Sequence, residues 1–516
     1  MTESLSKSNL FFNTSGPSVP GEHYMLPTEA RFKDVRKLIA DRRYFVLHAP
    51  RQTGKTTVML QLMEALNHEG EYIALYVNIE AGQAYRDKLE GLNRCIIQEI
   101  ALVAEIYLPS EYKPSSRCTD GVTEFSVFLS RWCMELPKPL VLFVDEVDAL
   151  IGDGLLSVLR QLRSGYSKRP KAFPHALCMI GLRDIRDYRI YSDRSDRYII
   201  GGSAFNIKDK SCTLADFTAE EVVELYAQHT KATGQMFSKD ALARVYEITQ
   251  GQPWLVNALG RELCFEEYAV LRNQQIEVSD VDEKAEILIR RRDVHLDQLS
   301  DKLTEPRVAK VIEAVLSGAQ LSIDVSQEDQ QYVLDLGLIK KRKMGLEVAN
   351  PIYREVIPRE LTVVIQDNLA QDPHWYVTSK GKLDIEKVVE RFIDFYRENG
   401  EMLTARKQYT EAAHHLLFMA WLQRIVNGGG RITREYALGL KRLDLCIDFA
   451  GEKFAFELKL DSKKVLQEGQ LQLSTYLERL DLKSGFLIIF TRSFNESILG
   501  KRELITGEKQ IKVLWL

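Results

Sequence analysis

Neither a CxxC pair nor histidines at metal-ligand spacing occur in this sequence. Its seven cysteines (Cys95, Cys118, Cys133, Cys178, Cys212, Cys264, Cys446) are scattered singly. That excludes a disulfide framework and a zinc finger, and points to a reducing compartment. Also missing is any stretch of about 20 uncharged apolar residues, so no membrane-spanning helix and no membrane partner are expected. The opening MTESLSKSNLFFNTSGPSVPGEHYMLP has no basic segment followed by an apolar run, and a cytoplasmic location is expected. No charge of one sign dominates: 69 Lys and Arg oppose 73 Asp and Glu, a formal net charge of -4. Any contact with nucleic acid must therefore be local. Internal repeats and low-complexity tracts are absent too. What is present is 516 residues, 45% hydrophobic and 28% charged. That is a folded globular composition, long enough for three or four modules of roughly 150 residues.

Arg43 to His48 is a short apolar and aromatic run, and after the turn APRQTGKT the segment TVMLQLMEALNH carries apolar residues at i, i+3, i+4. The order is strand, loop, helix. EYIALYVNI, PLVLFV and ALCMI read as further buried strands with helical patterns between them. A parallel sheet covered by helices is expected over residues 1–215. Strand signals vanish over 216–300, which predicts a helical lid. Over 301–365, two helical patterns precede short apolar runs flanking a basic, Gly-containing turn, the pattern of a winged helix. Residues 366–404 read as a polar linker and a helix. Residues 405–516 alternate helix and strand as a C-terminal α/β domain.

Ala49-Pro50-Arg51-Gln52-Thr53-Gly54-Lys55-Thr56 has the spacing of a phosphate-binding loop, with Ala49 where the first Gly is usual. Backbone N–H groups from Gln52 and Thr53 through Thr57 would hold phosphates and Gly54 lets the backbone approach. Lys55 reaches the outer phosphates and the Thr56 hydroxyl meets Mg²⁺, so ATP with Mg²⁺ is the implied ligand. About ninety residues on, VLFVDEVDAL supplies Asp145, to hold Mg²⁺ through water, and Glu146, to polarise an attacking water. Five apolar residues aim this pair at the carboxyl edge of the sheet, where ligands bind.

The stretches FNTSGPSVPGEHYMLP, RYFVLHAPRQTGKTT, VLFVDEVDAL and GLRDIRDYRI resemble a prokaryotic AAA-like ATPase family related to the archaeal-type and STAND NTPases, over roughly the first 300 residues. The resemblance implies that residues 12–27 wrap the adenine and that Gly251-Gln252-Pro253 is the lid motif that reads nucleotide state. It also implies that Arg183, just past the fourth strand, senses the γ-phosphate. An ion pair of Arg183 with Asp184 or Asp187 is the alternative. Arg160 and Arg163 are either arginines presented to a neighbour in a homo-oligomer or solvent-exposed helix residues.

Near the C-terminus, Asp444 on one strand is followed after twelve residues by Glu457-Leu458-Lys459 on the next. Period-2 alternation puts Glu457 and Lys459 on one face, and a turn at Gly451 brings Asp444 beside them. Two carboxylates can hold Mg²⁺ or Mn²⁺, while the ammonium orients or deprotonates water at a phosphodiester. The set resembles the PD-(D/E)XK nuclease superfamily, with Leu443 in place of the motif's Pro, over about residues 405–495. The resemblance adds Glu411 as a further acid at the metal site, and Gln472 with Tyr476 as the Gln-x₃-Tyr motif of the helicase-linked exonuclease branch. Alternation of Phe454, Phe456 and Leu458 with Ala455, Glu457 and Lys459 is equally that of an ordinary half-buried strand. Arg431, Arg434, Lys441 and Arg442 form a basic patch able to track a DNA backbone, or a hairpin with solvated arginines.

These readings combine into a multidomain α/β chain: a P-loop NTPase core with helical lid, a winged helix, and a C-terminal α/β PD-(D/E)XK nuclease-like domain. The expected function is ATP hydrolysis coupled to metal-dependent DNA cleavage, in a setting of prokaryotic defence against mobile DNA. The alternative is a nucleotide-switched signalling or scaffold ATPase whose nuclease-fold domain only binds DNA or a partner.

Overall fold

In the computed structural model the apolar runs become the strands of two sheets. The structure describes the chain except for residues 1–9, 28, 87, 116–120, 185–188, 193–196, 266–273, 292–300, 317–324, 343–344, 358–375, 379–380, 405–417, 419–420, 423–430, 439–440, 462–463, 492–499 and 507–508. For 431–438 and 441–444 it describes the backbone alone. The chain divides into two compact units. The first comprises Met1–Arg292, Gln330–Gly345 and Ala349–Ile352, and the second Asp293–Asp329, Leu346–Val348 and Tyr353–Leu516.

In the first unit, β1 (Tyr44–His48), β2 (Ile73–Asn78), β3 (Leu140–Asp145), β4 (Ala176–Gly181) and β7 (Lys208–Thr213) form a parallel sheet in the order β2-β3-β4-β1-β7. The strands read as continuous apolar runs because both faces are covered. Phe45, Leu47, Ala74, Val141 and Phe143 meet the helices Glu29–Ala40 and Lys55–Glu69 on one face. Tyr44, Val46, Leu75, Val77 and Leu142 meet the helices Leu89–Tyr107, Glu124–Glu135 and Gly152–Gly165 on the other. A small antiparallel hairpin, β5 (Arg189–Ser192) and β6 (Arg197–Ile200), stands apart from this sheet. All five parallel strands deliver their carboxyl ends to one edge, and β4 ends between the acidic turn after β3 and the loop after β1.

The segment read as a lid is built from the helices Ala219–Thr233, Lys239–Thr249, Pro253–Phe265 and Val278–Arg291. Its first helix starts on a capping box: the Thr218 hydroxyl accepts from Glu221 N–H, and the Glu221 carboxylate accepts from Thr218 N–H. The 301–365 span contains the helices Pro306–Leu316 and Gln327–Asp335 and the short strands β8 (Ile339–Arg342) and β9 (Gly345–Val348). It is not one compact piece, since Gln330–Gly345 belongs with the first unit.

In the second unit, β10 (Arg431–Leu438), β11 (Lys441–Phe449) and β12 (Glu452–Leu460) form an antiparallel meander. The helix Val465–Arg479 then returns the chain to β13 (Ser484–Phe490), parallel to β12, and β14 (Arg502–Thr506) and β15 (Gln510–Trp515) complete the order β10-β11-β12-β13-β15-β14. One face packs Leu445, Ile447, Phe456, Leu458 and Ile488 against Phe392, Phe418 and Trp421. The other packs Cys446, Ala455, Leu487 and Ile489 against Leu473, Tyr476 and Leu477 of the crossover helix. Among the described residues no helix is long and apolar enough to cross a membrane.

Candidate functional site

The loop between β1 and the helix Lys55–Glu69 turns at Gly54, whose φ of +86° is a conformation only glycine adopts without strain. The Thr53 hydroxyl donates to Pro50 O at 2.8 Å, and Lys55 Nζ donates to Ala49 O and Pro50 O at 2.7 and 2.9 Å. Ala49, where a glycine is usual, is buried and belongs to the same core cluster as Leu47 and Val58. Burial pushes the Lys55 ammonium pKa down, against the pull of Asp145, Asp148 and Glu146.

Asp145 is buried at the end of β3. Its Oδ2 accepts from the Thr56 hydroxyl at 3.2 Å and from the Tyr76 hydroxyl, and its Oδ1 accepts from Glu146 N–H at 2.7 Å. A threonine hydroxyl facing a carboxylate at this separation suits an oxygen-preferring dication. Tyr76 has no motif to announce it. It comes to Asp145 because β2 and β3 pair in parallel up to Asn78 opposite Asp145, and its one sequence signal is a tyrosine near the end of the neighbouring strand.

Glu146 sits at φ +57°, a left-handed conformation unusual for a side-chain-bearing residue and common where the surroundings enforce it at a functional position. Burial raises its carboxyl pKa, as do Asp148 and Asp145, while Lys55 and Arg51 pull the other way. A carboxylate tuned upward is a stronger base toward water. Asp148 Oδ1 accepts from Leu182 N–H at 3.1 Å, and Ala49 N–H donates to Gly181 O at 3.3 Å. The end of β4 is thereby stitched to both the acidic turn and the phosphate loop.

Arg183 follows directly. Its Nε lies 3.2 Å from Asp335 Oδ2, and its guanidinium stands 5.1 Å from the centre of the Tyr332 ring. Asp184, one of the two partners expected for Arg183, is held by Lys208 at 2.6 Å and by the Ser211 hydroxyl. Asp187, the other, lies outside the described residues. The Arg183–Asp335 pair was therefore not among the expected ones. Burial raises the Asp335 carboxyl pKa against hydrogen bonds from Gln331 and Arg183. Arg160 and Arg163 are exposed, and Arg163 donates to Ser203 O at 3.2 Å.

The N-terminal segment is strapped across the loop's helix and the lid. Ser18 N–H donates to the Thr57 hydroxyl at 2.9 Å, and Trp254 Nε1 donates to Thr14 O at 2.9 Å. The Tyr24 hydroxyl lies 3.1 Å from His229 Nδ1, and the Phe12 ring packs on Tyr24, Tyr226 and Phe265. In the lid, Gly251 has φ +74°, and a Cβ there would lie 1.9 Å from Phe217 O. Gln252 Nε2 faces Gln52 O at 3.5 Å, so the Gly-Gln-Pro turn abuts the phosphate loop.

A model of the AAA-like domain family matches residues 34–358. The chain belongs to the AAA-like domain family. Solved structures to which this chain is similar include the Walker-type ATPase of Pyrococcus abyssi, at 12% identity and TM-score 0.47, covering 67% of this chain and 99% of that one. Cdc6p from Pyrobaculum aerophilum follows at 17% identity and TM-score 0.35, covering 67% and 96%. A RuvB variant from Thermotoga maritima follows at 15% and 0.36, covering 64% and 95%. Among curated proteins no match is found. With the AAA-like match over residues 34–358, the first unit is a P-loop ATPase core of the AAA-like kind.

The second unit lies mostly outside the AAA-like match. Glu457 and Lys459 alternate with Phe456 and Leu458, which point to the opposite face, so both lie on the face covered by the crossover helix. Glu457 is fully buried, with Lys459 Nζ 2.6 Å from its Oε1. Leu445 pairs with Phe456, so Asp444 and Glu457 are the next positions of that antiparallel register. Only the backbone of Asp444 is described. On the crossover helix Gln472 Nε2 donates to the Tyr476 hydroxyl at 3.2 Å. Glu411 lies outside the described residues, as do the side chains of Arg431, Arg434, Lys441 and Arg442. Among the described residues no group of three or more His, Cys, Asp or Glu gathers as a metal site.

Proposed function

We propose that this AAA-like protein binds and hydrolyses ATP with Mg²⁺ and couples the cycle to a metal-dependent DNA nuclease in its C-terminal domain. The observation that carries the ATPase part is the shared Asp145 carboxylate, bonded to Thr56 and to the backbone of Glu146. Thr56 and Asp145 would hold Mg²⁺, Lys55 and the loop N–H groups the phosphates, Arg183 the γ-phosphate, and Glu146 the attacking water. Mg²⁺ would supply charge neutralisation of the phosphates.

The nuclease part is supported by the strand register, which pairs Leu445 with Phe456 and so puts Asp444 and Glu457 at the next positions, with Lys459 beside the buried glutamate. Glu411, Gln472 and Tyr476 would complete the shell around Mg²⁺ or Mn²⁺. DNA is the proposed substrate, a homo-oligomer the proposed assembly, the cytoplasm the proposed location, and defence against mobile DNA the proposed setting. Incubating the full chain with linear, circular and single-stranded DNA, with and without ATP and with Mg²⁺ or Mn²⁺, tests this. Cleavage abolished by Glu457→Ala supports it, and identical behaviour of that variant and the wild type rejects it.

One observation favours a second reading. Glu457 is wholly buried and neutralised by Lys459, a pairing that also suits a purely structural strand beneath a helix. On that reading the domain binds DNA or a partner without cutting, and the ATPase acts as the switch.

A further inference from the structure

The stretch Gln330–Gly345, well beyond the lid in sequence, packs within the first unit, and four of its contacts bear on the phosphate loop, the lid and the end of β4. Gly337 packs so closely on the phosphate loop that a Cβ would lie 2.7 Å from the Pro50 ring. Lys340 Nζ lies 2.6 Å from Asp216 Oδ2, and Arg342 Nη2 donates to Gln250 Oε1 at 2.7 Å. The fourth contact places the Asp335 carboxylate against Arg183. Arg183 leaves β4, the strand between the one that ends in Asp145 and the one that opens the phosphate loop. Its side chain is only 11% exposed and that of Asp335 only 5%, so their attraction is poorly screened.

We propose that Asp335 is a specificity-determining residue that sets the ATP-to-ADP preference of this site by competing with the γ-phosphate for Arg183. The inference rests on the reading of Arg183 as a γ-phosphate contact. A guanidinium engaged by the Asp335 carboxylate must turn or share its donors to bind a further anion. ATP, which brings that anion, binds against Asp335, whereas ADP leaves the pair intact. Because linkage is reciprocal, ATP weakens the hold of 330–342 on the core by the factor that Asp335 weakens ATP.

The experiment is titration of the full chain with ADP and with a non-hydrolysable ATP analogue. Asp335→Asn is expected to raise affinity for the analogue on the order of tenfold and leave ADP affinity within about twofold. Asp335→Glu should return the wild-type ratio. Asp216→Asn, which breaks a different contact of the same stretch, should leave the ratio unchanged. Equal shifts for both nucleotides, no shift, or the same ratio change in Asp216→Asn would overturn the proposal. Hydrogen exchange of the wild type reads the same competition without a variant: amides 332–342 should exchange faster with the analogue than with ADP, and identical rates overturn it. A wild type that binds neither nucleotide rejects the phosphate-loop reading itself. A wild type that binds both, with the preference unmoved by Arg183→Ala, rejects the γ-phosphate role of Arg183. Both are distinguishable from failure at Asp335.

Discussion

Ser18 donates its backbone N–H to the hydroxyl of Thr57, the residue directly after Thr56, the proposed Mg²⁺ ligand. The bond ties the N-terminal strap to the helix that opens the phosphate site. Thr57→Val keeps the shape but leaves that donor without its acceptor, a loss of about 1 kcal/mol. Nucleotide affinity should fall roughly three- to tenfold, and more for adenine than for guanine nucleotides if residues 12–27 face the base. Competitive titration with ATP and GTP measures it; equal losses for both would place the strap away from the base.

Glu146→Gln should retain ATP binding and lose turnover by about 100-fold or more, the usual contribution of a positioned base. Lys55→Ala should instead lose affinity, because the ammonium meets the phosphates in the ground state as well. Equilibrium binding and phosphate release separate the two.

The raised carboxyl pKa of Glu146 has a stability consequence with a definite sign. A carboxyl whose folded pKa exceeds the ordinary glutamate value of 4.5 stabilises the fold in its protonated form. That contribution is complete below 4.5 and is lost as pH rises through the raised value. Glu146→Gln should therefore melt higher than the wild type at neutral pH, and the difference should shrink as pH falls below 4.5. Thermal melts at pH 4 and pH 7.5 decide it, and a larger gain at the lower pH contradicts the assignment.

Gly251→Ala should be among the most damaging single-methyl changes in the chain. The new Cβ meets the backbone of Phe217, which cannot rotate away, at a φ that disfavours alanine. A loss of about 2–4 kcal/mol is expected, visible as a lowered melting temperature of the first unit. A neutral result would show that the Phe217 turn yields.

Lys459→Met should destabilise the second unit by about 3 kcal/mol, because it leaves the Glu457 carboxylate buried without its counter-charge. The double variant Lys459→Met with Glu457→Leu should recover much of that loss. Denaturant melts of the full chain, with Trp421 left as the sole tryptophan to report on the second unit, measure both.

The phosphate loop was legible because local pattern dictates it: an apolar strand, a glycine at the turn and an amphipathic helix lie within thirty residues of one another, and the acidic pair about ninety residues on was legible because it ends an apolar strand of its own. The Glu457 and Lys459 face was legible for the same reason, since alternation on a strand is local. Tyr76 was not, because its role depends on which strand becomes the neighbour of β3. Asp335 was still less so. It lies 152 positions from Arg183, in a stretch that reads as part of a separate winged helix but packs with the nucleotide core.

The strap of residues 11–24 also imposes an order in time. Phe12, Thr14 and Tyr24 leave the ribosome before any strand of the sheet, yet their partners Tyr226, His229, Trp254 and Phe265 follow about two hundred or more residues later. Synthesis proceeds from the amino end, and contacts this distant in sequence close late. A nascent chain therefore trails an unseated aromatic arm past a finished sheet until the third lid helix has emerged. The phosphate loop can fold early, but the strap across its helix, made before the sheet, is put away last.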